Sequence, residues 1–131
     1  MSWQALLVLA PIVLMVAYVL WTALATQSVR GRSVVMLETA LPGLRTQRAK
    51  AVVYCFSNYC GPCRKLTPRI DRLRQEHANV FKLDVGRYPR EARAVGVQAT
   101  PTTLLVEDGK VLKALLGLGA IGAIEVFLAR G

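Results

Sequence analysis

The chain has 131 residues, with 17 Lys and Arg against 8 Asp and Glu, a formal charge of +9, and three cysteines. That length holds one folded domain and no second, and three cysteines are too few for a scaffold built on disulfides. Every charged residue lies at or beyond Arg30. The positive excess therefore belongs to the part that folds in water. No motif that reads RNA or DNA goes with it, so the charge points to an anionic lipid surface or an acidic partner, with no nucleic acid expected.

Ala5 to Ala25 is uncharged and almost wholly apolar. At helical rise it spans about 31 Å, the thickness of a bilayer's hydrocarbon core, and it reads as one transmembrane helix in contact with membrane lipid. Trp3 and Trp21 sit where the two interfaces fall, and Pro11 is compatible with insertion. A cleaved signal peptide is the rival reading, since Ala23-Leu24-Ala25 is a small-residue cleavage pattern. The missing basic residues before the stretch, and its length, favour a retained anchor over residues 1–25. Arg30, Arg32, Arg45, Arg48 and Lys50 follow the helix, and by charge alone they place the domain on the cytoplasmic side.

Residues 26–33 are polar and read as a tether, with the domain running over 34–131. Val34 to Leu37 is predicted as a first strand, and Thr39 to Arg48 as a short helix interrupted at Pro42-Gly43. Ala51 to Phe56, continuously apolar and rich in β-branched and aromatic residues, is a buried central strand. From Pro62 to His77 a helix carries Leu66, Ile70 and Leu73 as one apolar stripe opposite Arg and Lys, with Pro68 expected to bend it. A second strand follows over Val80 to Val85, then a short helix from Tyr88-Pro89 to Val95. Thr102–Val106 and Lys110–Leu115 form a hairpin turned by Asp108-Gly109. A last helix over Ala120–Ala129 shows Ile121, Ile124 and Leu128 on one face. The order predicts an α/β domain with a mixed sheet covered on both faces.

Cys60-Gly61-Pro62-Cys63 stands between the central strand and the helix. Two thiols at i and i+3 across a helix start have Cα atoms about 5 to 6 Å apart, within reach of a disulfide. The unpaired N–H groups and partial positive charge of a helix N-terminus favour a thiolate at Cys60, making it the attacking thiol and Cys63 the resolving one. Pro62 suits the first helical turn, Gly61 relieves crowding where another chain approaches, and Arg64 and Lys65 add positive charge. A structural zinc site would need two further ligands. Cys55 lies in the apolar strand and His77 is about four helical turns away, so no metal site is expected among them. Cu(I) delivery by the two thiolates is a smaller alternative.

The apolar strand ending in an aromatic, then Tyr59-Cys60-Gly61-Pro62-Cys63-Arg64-Lys65 with Pro68 five residues on, resembles thioredoxin. The resemblance continues through Val97-Gln98-Ala99-Thr100-Pro101-Thr102-Thr103-Leu104-Leu105 and the turn Glu107-Asp108-Gly109-Lys110, and covers roughly residues 50 to 130. It implies a thioredoxin-like fold, a cis bond before Pro101, and a substrate-binding backbone at Thr100 and Pro101. It also implies thiol-disulfide exchange with protein substrates, without a cofactor, and re-reduction by a partner the sequence does not identify. Reduction is the expected direction; a docking module without catalysis is the alternative from another class. Many membrane-tethered bacterial relatives work in the periplasm, which sets the resemblance against the charge argument for sidedness. Three departures stand out. Tyr59 replaces a tryptophan, Thr100 replaces an isoleucine, and Tyr54 occupies the place of a buried aspartate. Lys82 matches a family lysine and is a candidate for proton transfer, with that acidic partner missing.

Overall fold

The computed structural model describes residues 2–27, 29–47 and 49–130. Met1, Ser28 in the tether, Arg48 at the end of the expected early helix, and Gly131 lie outside the described residues. Helix α1, Trp3–Gln27, is followed by strand β1, Lys50–Phe56, helix α2, Gly61–Glu76, and strand β2, Val80–Asp84. A short helix α3, Pro89–Ala94, leads to strands β3, Thr102–Glu107, and β4, Lys110–Leu116, and the chain ends in helix α4, Ala120–Ala129.

The four strands form one sheet in the order β2-β1-β3-β4. β1 is parallel to β2 and antiparallel to β3, and β3 is antiparallel to β4. A strand buried on both faces needs no polar alternation, and β1 shows none. Ala51, Val53 and Cys55 face one core with Leu83, Leu104 and Val106. Val52 and Tyr54 face the other, with Leu66, Ile70, Leu105 and Ile124. The expected stripe of α2 is fully buried, and Pro68 lies inside a helix that continues past it. The hairpin turns at Asp108 and Gly109, with φ of 53° and 77°, the left-handed pair that a two-residue turn between twisted strands demands. On α4 the buried residues are Ala120, Ile124 and Phe127, with Ile121 and Leu128 at the margins of the face.

The segment before β1 differs from expectation. Val34 to Leu37 forms no strand; Val35–Leu37 is a single 3-10 turn and Leu44–Gln47 another. The physical reason lies in side-chain burial. Val34, Leu37, Leu41 and Leu44 all turn into the core over β1 and β3, a spacing that a straight strand cannot provide. Gly43, at φ 92°, breaks what would otherwise continue as helix. Gly31, Arg32 and Val34 line the outer edge of β4. The Gly31 N–H donates to the Val111 carbonyl at 2.7 Å, the Val111 N–H to the Arg32 carbonyl at 2.9 Å, and the Val34 N–H to the Gly109 carbonyl at 3.0 Å. Val29 is already buried in the core, two residues beyond the end of α1.

Within α1, Trp3–Leu24 is long and apolar enough to cross a bilayer, and most of its side chains are exposed. Only its last turns approach the fold, where Trp21 and Thr22 share a small apolar cleft with Val97, Gln98, Ala99 and Leu116.

Candidate active site

Cys60 ends the β1–α2 connection as the N-cap of α2, with φ −91° and ψ 113°, and Pro62 occupies the first turn, where no N–H is needed. Cys60 and Cys63 are joined in a disulfide with Cα atoms 5.3 Å apart. The Cys63 backbone N–H donates to Cys60 Sγ at 3.2 Å, so one of the helix's unpaired donors already faces the sulfur that leads the motif. The pair is asymmetric: Cys60 is 9% exposed and Cys63 2%. Tyr59, 98% exposed, stands free beside the disulfide, and Gly61, Arg64 and Lys65 are also exposed.

The Thr100–Pro101 bond is cis, as the resemblance implied. Pro101 is buried, and its carbonyl accepts from the Gly117 N–H at 3.0 Å, which ties the loop to the end of β4. The Thr102 hydroxyl donates back to the Ala99 carbonyl at 2.5 Å.

Tyr54 is fully buried under α2. Its hydroxyl donates to the Cys63 carbonyl at 3.2 Å and lies 3.0 Å from the Thr67 hydroxyl, which serves as the donor to it. Desolvation raises the phenol above its usual value of 10.0, so it stays neutral beneath the disulfide. Cys55, on the opposite face, is a free buried thiol that burial pushes up to about 12. It is an inert core residue, on the other side of the sheet from the disulfide.

Lys82 is not without an acidic partner. Its Nζ lies 3.0 Å from the Asp71 carboxylate on α2 and 5.0 Å from the centre of the Phe56 ring. The carboxylate comes from the helix, and Tyr54 fills the strand position. Lys82 shares an open cleft of about 410 Å³ with Phe56, Ser57, Cys63, Arg64, Thr67 and Pro68, so the resolving cysteine borders a solvent-connected wall of mixed polarity. Thr67 and Asp71 were not singled out from the sequence. Their signal was present, since both lie on the α2 face that begins at Cys63, at spacings of four and eight. Among the described residues, no three or more His, Cys, Asp or Glu side chains group as a metal site requires.

A family model described as Thioredoxin matches residues 42–130. The thioredoxin of Chlamydia muridarum is 40% identical over 65 residues, 48% of this chain and 64% of that protein, so the match spans slightly less than two thirds of that relative's length. A "Disulfide bond formation protein" of Brevibacillus choshinensis is 35% identical over 83 residues, 60% of this chain and 70% of that protein. Among solved structures, Fasciola hepatica thioredoxin has a TM-score of 0.60 at 27% identity, covering 72% of this chain and 89% of that one.

Proposed function

The chain belongs to the thioredoxin family, and on that premise we propose that it is a membrane-tethered thiol-disulfide oxidoreductase that reduces disulfides in protein substrates. The observation that carries this reading is the Cys60–Cys63 disulfide at the N-terminus of α2, with the Cys63 N–H aimed at Cys60 Sγ. In the dithiol form the same helix terminus favours a thiolate at Cys60, the more exposed of the two sulfurs. That thiolate attacks one sulfur of a substrate disulfide, forming a mixed disulfide and releasing the substrate's other sulfur as a thiolate. Cys63 then gives up its proton and attacks Cys60 Sγ, which frees the second substrate sulfur and leaves the protein as the disulfide. Two electrons have passed to the substrate. A dithiol reductant restores them.

Thr100 and Pro101, on the loop tied to β4, are the backbone against which an extended substrate segment pairs, and Tyr59 and Gly61-Pro62 frame the approach. Lys82, 3.0 Å from the Asp71 carboxylate, shares the open cleft that borders Cys63 and is the candidate for proton transfer with that thiol. Membrane tethering is supported by the length and apolar character of Trp3–Leu24.

The reduction potential of the full chain in detergent micelles, equilibrated with redox buffers, tests the direction. A value near that of thioredoxin, about −270 mV, is expected. A value near about −120 mV makes the protein an oxidant and overturns the reductase reading.

A further inference from the structure

Between the end of α1 and the sheet lies a cleft of about 180 Å³ with no charged residue in its lining. Trp21 lines it from the helix, Gln98 and Ala99 from the approach to the cis-proline loop, and Thr102 and Leu116, paired across β3 and β4, from the sheet. The cleft therefore adjoins the Thr100–Pro101 backbone. Ala99 and Thr102 flank that bond in sequence, and the Thr102 hydroxyl donates to the Ala99 carbonyl across it. Gly117, the residue after Leu116, donates to the Pro101 carbonyl.

Trp21 is 63% exposed and Leu116 48%, so apolar surface at this place is left for a further group to cover. The chain itself holds the helix end there, because Val29, which also lines the cleft, is buried in the core. Trp21 and Val29 lie outside residues 42–130, the part that matches the thioredoxin family model, so the cleft is an addition that this chain makes beside the loop. Place and size select its occupant. An extended segment pairing with Thr100–Pro101 sends alternate side chains to the same side, about 7 Å apart, so the residue two positions from the one at the loop comes to lie beside it. A cavity of about 150 Å³ takes up a benzene ring, and the cleft accordingly admits one branched or aromatic side chain. A lipid acyl chain, about 15 Å long in one leaflet, is too long for it.

We propose that this cleft is a specificity subsite to which the membrane anchor contributes Trp21, and that it takes a large apolar side chain of the substrate, two residues from the cysteine under attack. This rests on the reductase and tethering readings above. Aromatic residues near the end of a spanning helix mark the membrane interface, so the substrate class is a protein disulfide in an apolar segment close to the bilayer surface. The exchange of bonds and electrons is the one already described. The cleft governs only which disulfide is presented to Cys60.

The test uses two synthetic peptides, each closed by one disulfide and identical except that leucine or serine stands two residues to either side of each cysteine. The full chain in detergent micelles is reduced with dithiothreitol, freed of excess reductant, and mixed with each peptide; the readout is the ratio of the two second-order rate constants for single-turnover reduction. The leucine peptide should react roughly tenfold faster than the serine peptide. Trp21→Ala should bring the ratio to within about twofold of one, and Trp21→Phe, which keeps an aromatic wall, should retain most of the preference. In a chain carrying Trp3→Phe and Cys63→Ser, Trp21 is the remaining tryptophan. Its emission should move to shorter wavelength in the trapped mixed disulfide with the leucine peptide and stay in place with the serine peptide. A leucine preference untouched by Trp21→Ala, or an emission that responds equally to both peptides, overturns the inference. So does a preference present in micelles and lost in phosphatidylcholine vesicles, which would show that lipid fills the cleft. A wild-type chain that reduces neither peptide overturns the functional reading and this inference together; one that reduces both at equal rates overturns this inference alone.

Discussion

The Tyr54 hydroxyl donates to the Cys63 carbonyl at 3.2 Å, so the central strand grips the active-site helix at the residue that resolves the mixed disulfide. The Thr67 hydroxyl, one turn further along α2, completes the clamp at 3.0 Å. A phenol in this place performs a mechanical task that a carboxylate would share with proton transfer. Raised above its ordinary range by desolvation, it does not exchange its proton near neutrality.

Tyr54→Phe should therefore cost about 1 to 2 kcal/mol of stability in either redox state, from the two lost contacts to a buried carbonyl and hydroxyl. It should leave the pH dependence of single-turnover disulfide reduction unchanged. Tyr54→Asp should add an ionisable limb to that profile and speed release of the mixed disulfide, at a stability cost of about 1 to 3 kcal/mol if the carboxylate is imperfectly paired. Stopped-flow reduction of a model protein disulfide across pH, with unfolding midpoints alongside, separates these outcomes. Superimposable profiles for well-folded wild type and Tyr54→Asp would show that this position has no part in proton transfer.

The two cysteines should fail differently. Cys60→Ser removes the nucleophile at the helix terminus and should abolish reduction of the model substrate. Cys63→Ser leaves attack intact and should accumulate mixed disulfides, visible by non-reducing gel electrophoresis and mass spectrometry. Turnover by Cys60→Ser would reverse the assigned roles.

Alkaline stability carries a signature of the core. Cys55 has an ordinary thiol value of 9.0 when unfolded and is held up at about 12 in the fold, and Tyr54 is shifted in the same direction. Between those values the unfolded chain binds fewer protons than the folded one, so stability is fully present below about pH 9 and is lost as pH rises toward about 12. Denaturant titrations of the oxidised protein should show this fall. Cys55→Ala, although less stable overall, should show a shallower slope over the same window. An equal slope would assign the alkaline loss elsewhere.

The apolar helix makes a prediction about place. The full chain should float with phospholipid vesicles and resist extraction by alkaline carbonate, whereas loss of residues 1–25 during expression would identify a cleaved signal sequence. A reporter fused after Gly131 should behave as cytoplasmic, from the basic residues that follow the helix. Periplasmic reporter activity would place the domain on the other side.

The sequence by itself determined the elements whose signals are local. The apolar run of β1, the stripe Leu66, Ile70 and Leu73 on α2, the Asp108-Gly109 turn and the Cys60-to-Cys63 spacing each follow from periodicity or from the backbone needs of a few adjacent residues. Only the tertiary structure decided what depends on distant pairing. Residues 34–37 are as apolar as a strand, yet the edge of β4 is lined chiefly by the residues before them, and burial of Leu37, Leu41 and Leu44 coils the chain. Lys82 finds its carboxylate on α2 rather than β1, 11 positions away in sequence and 3.0 Å away in space. Thr103 reads in the sequence as an ordinary strand residue. The structure sets it opposite Tyr54 and Leu115 and leaves its buried hydroxyl without a hydrogen-bond partner among the described residues.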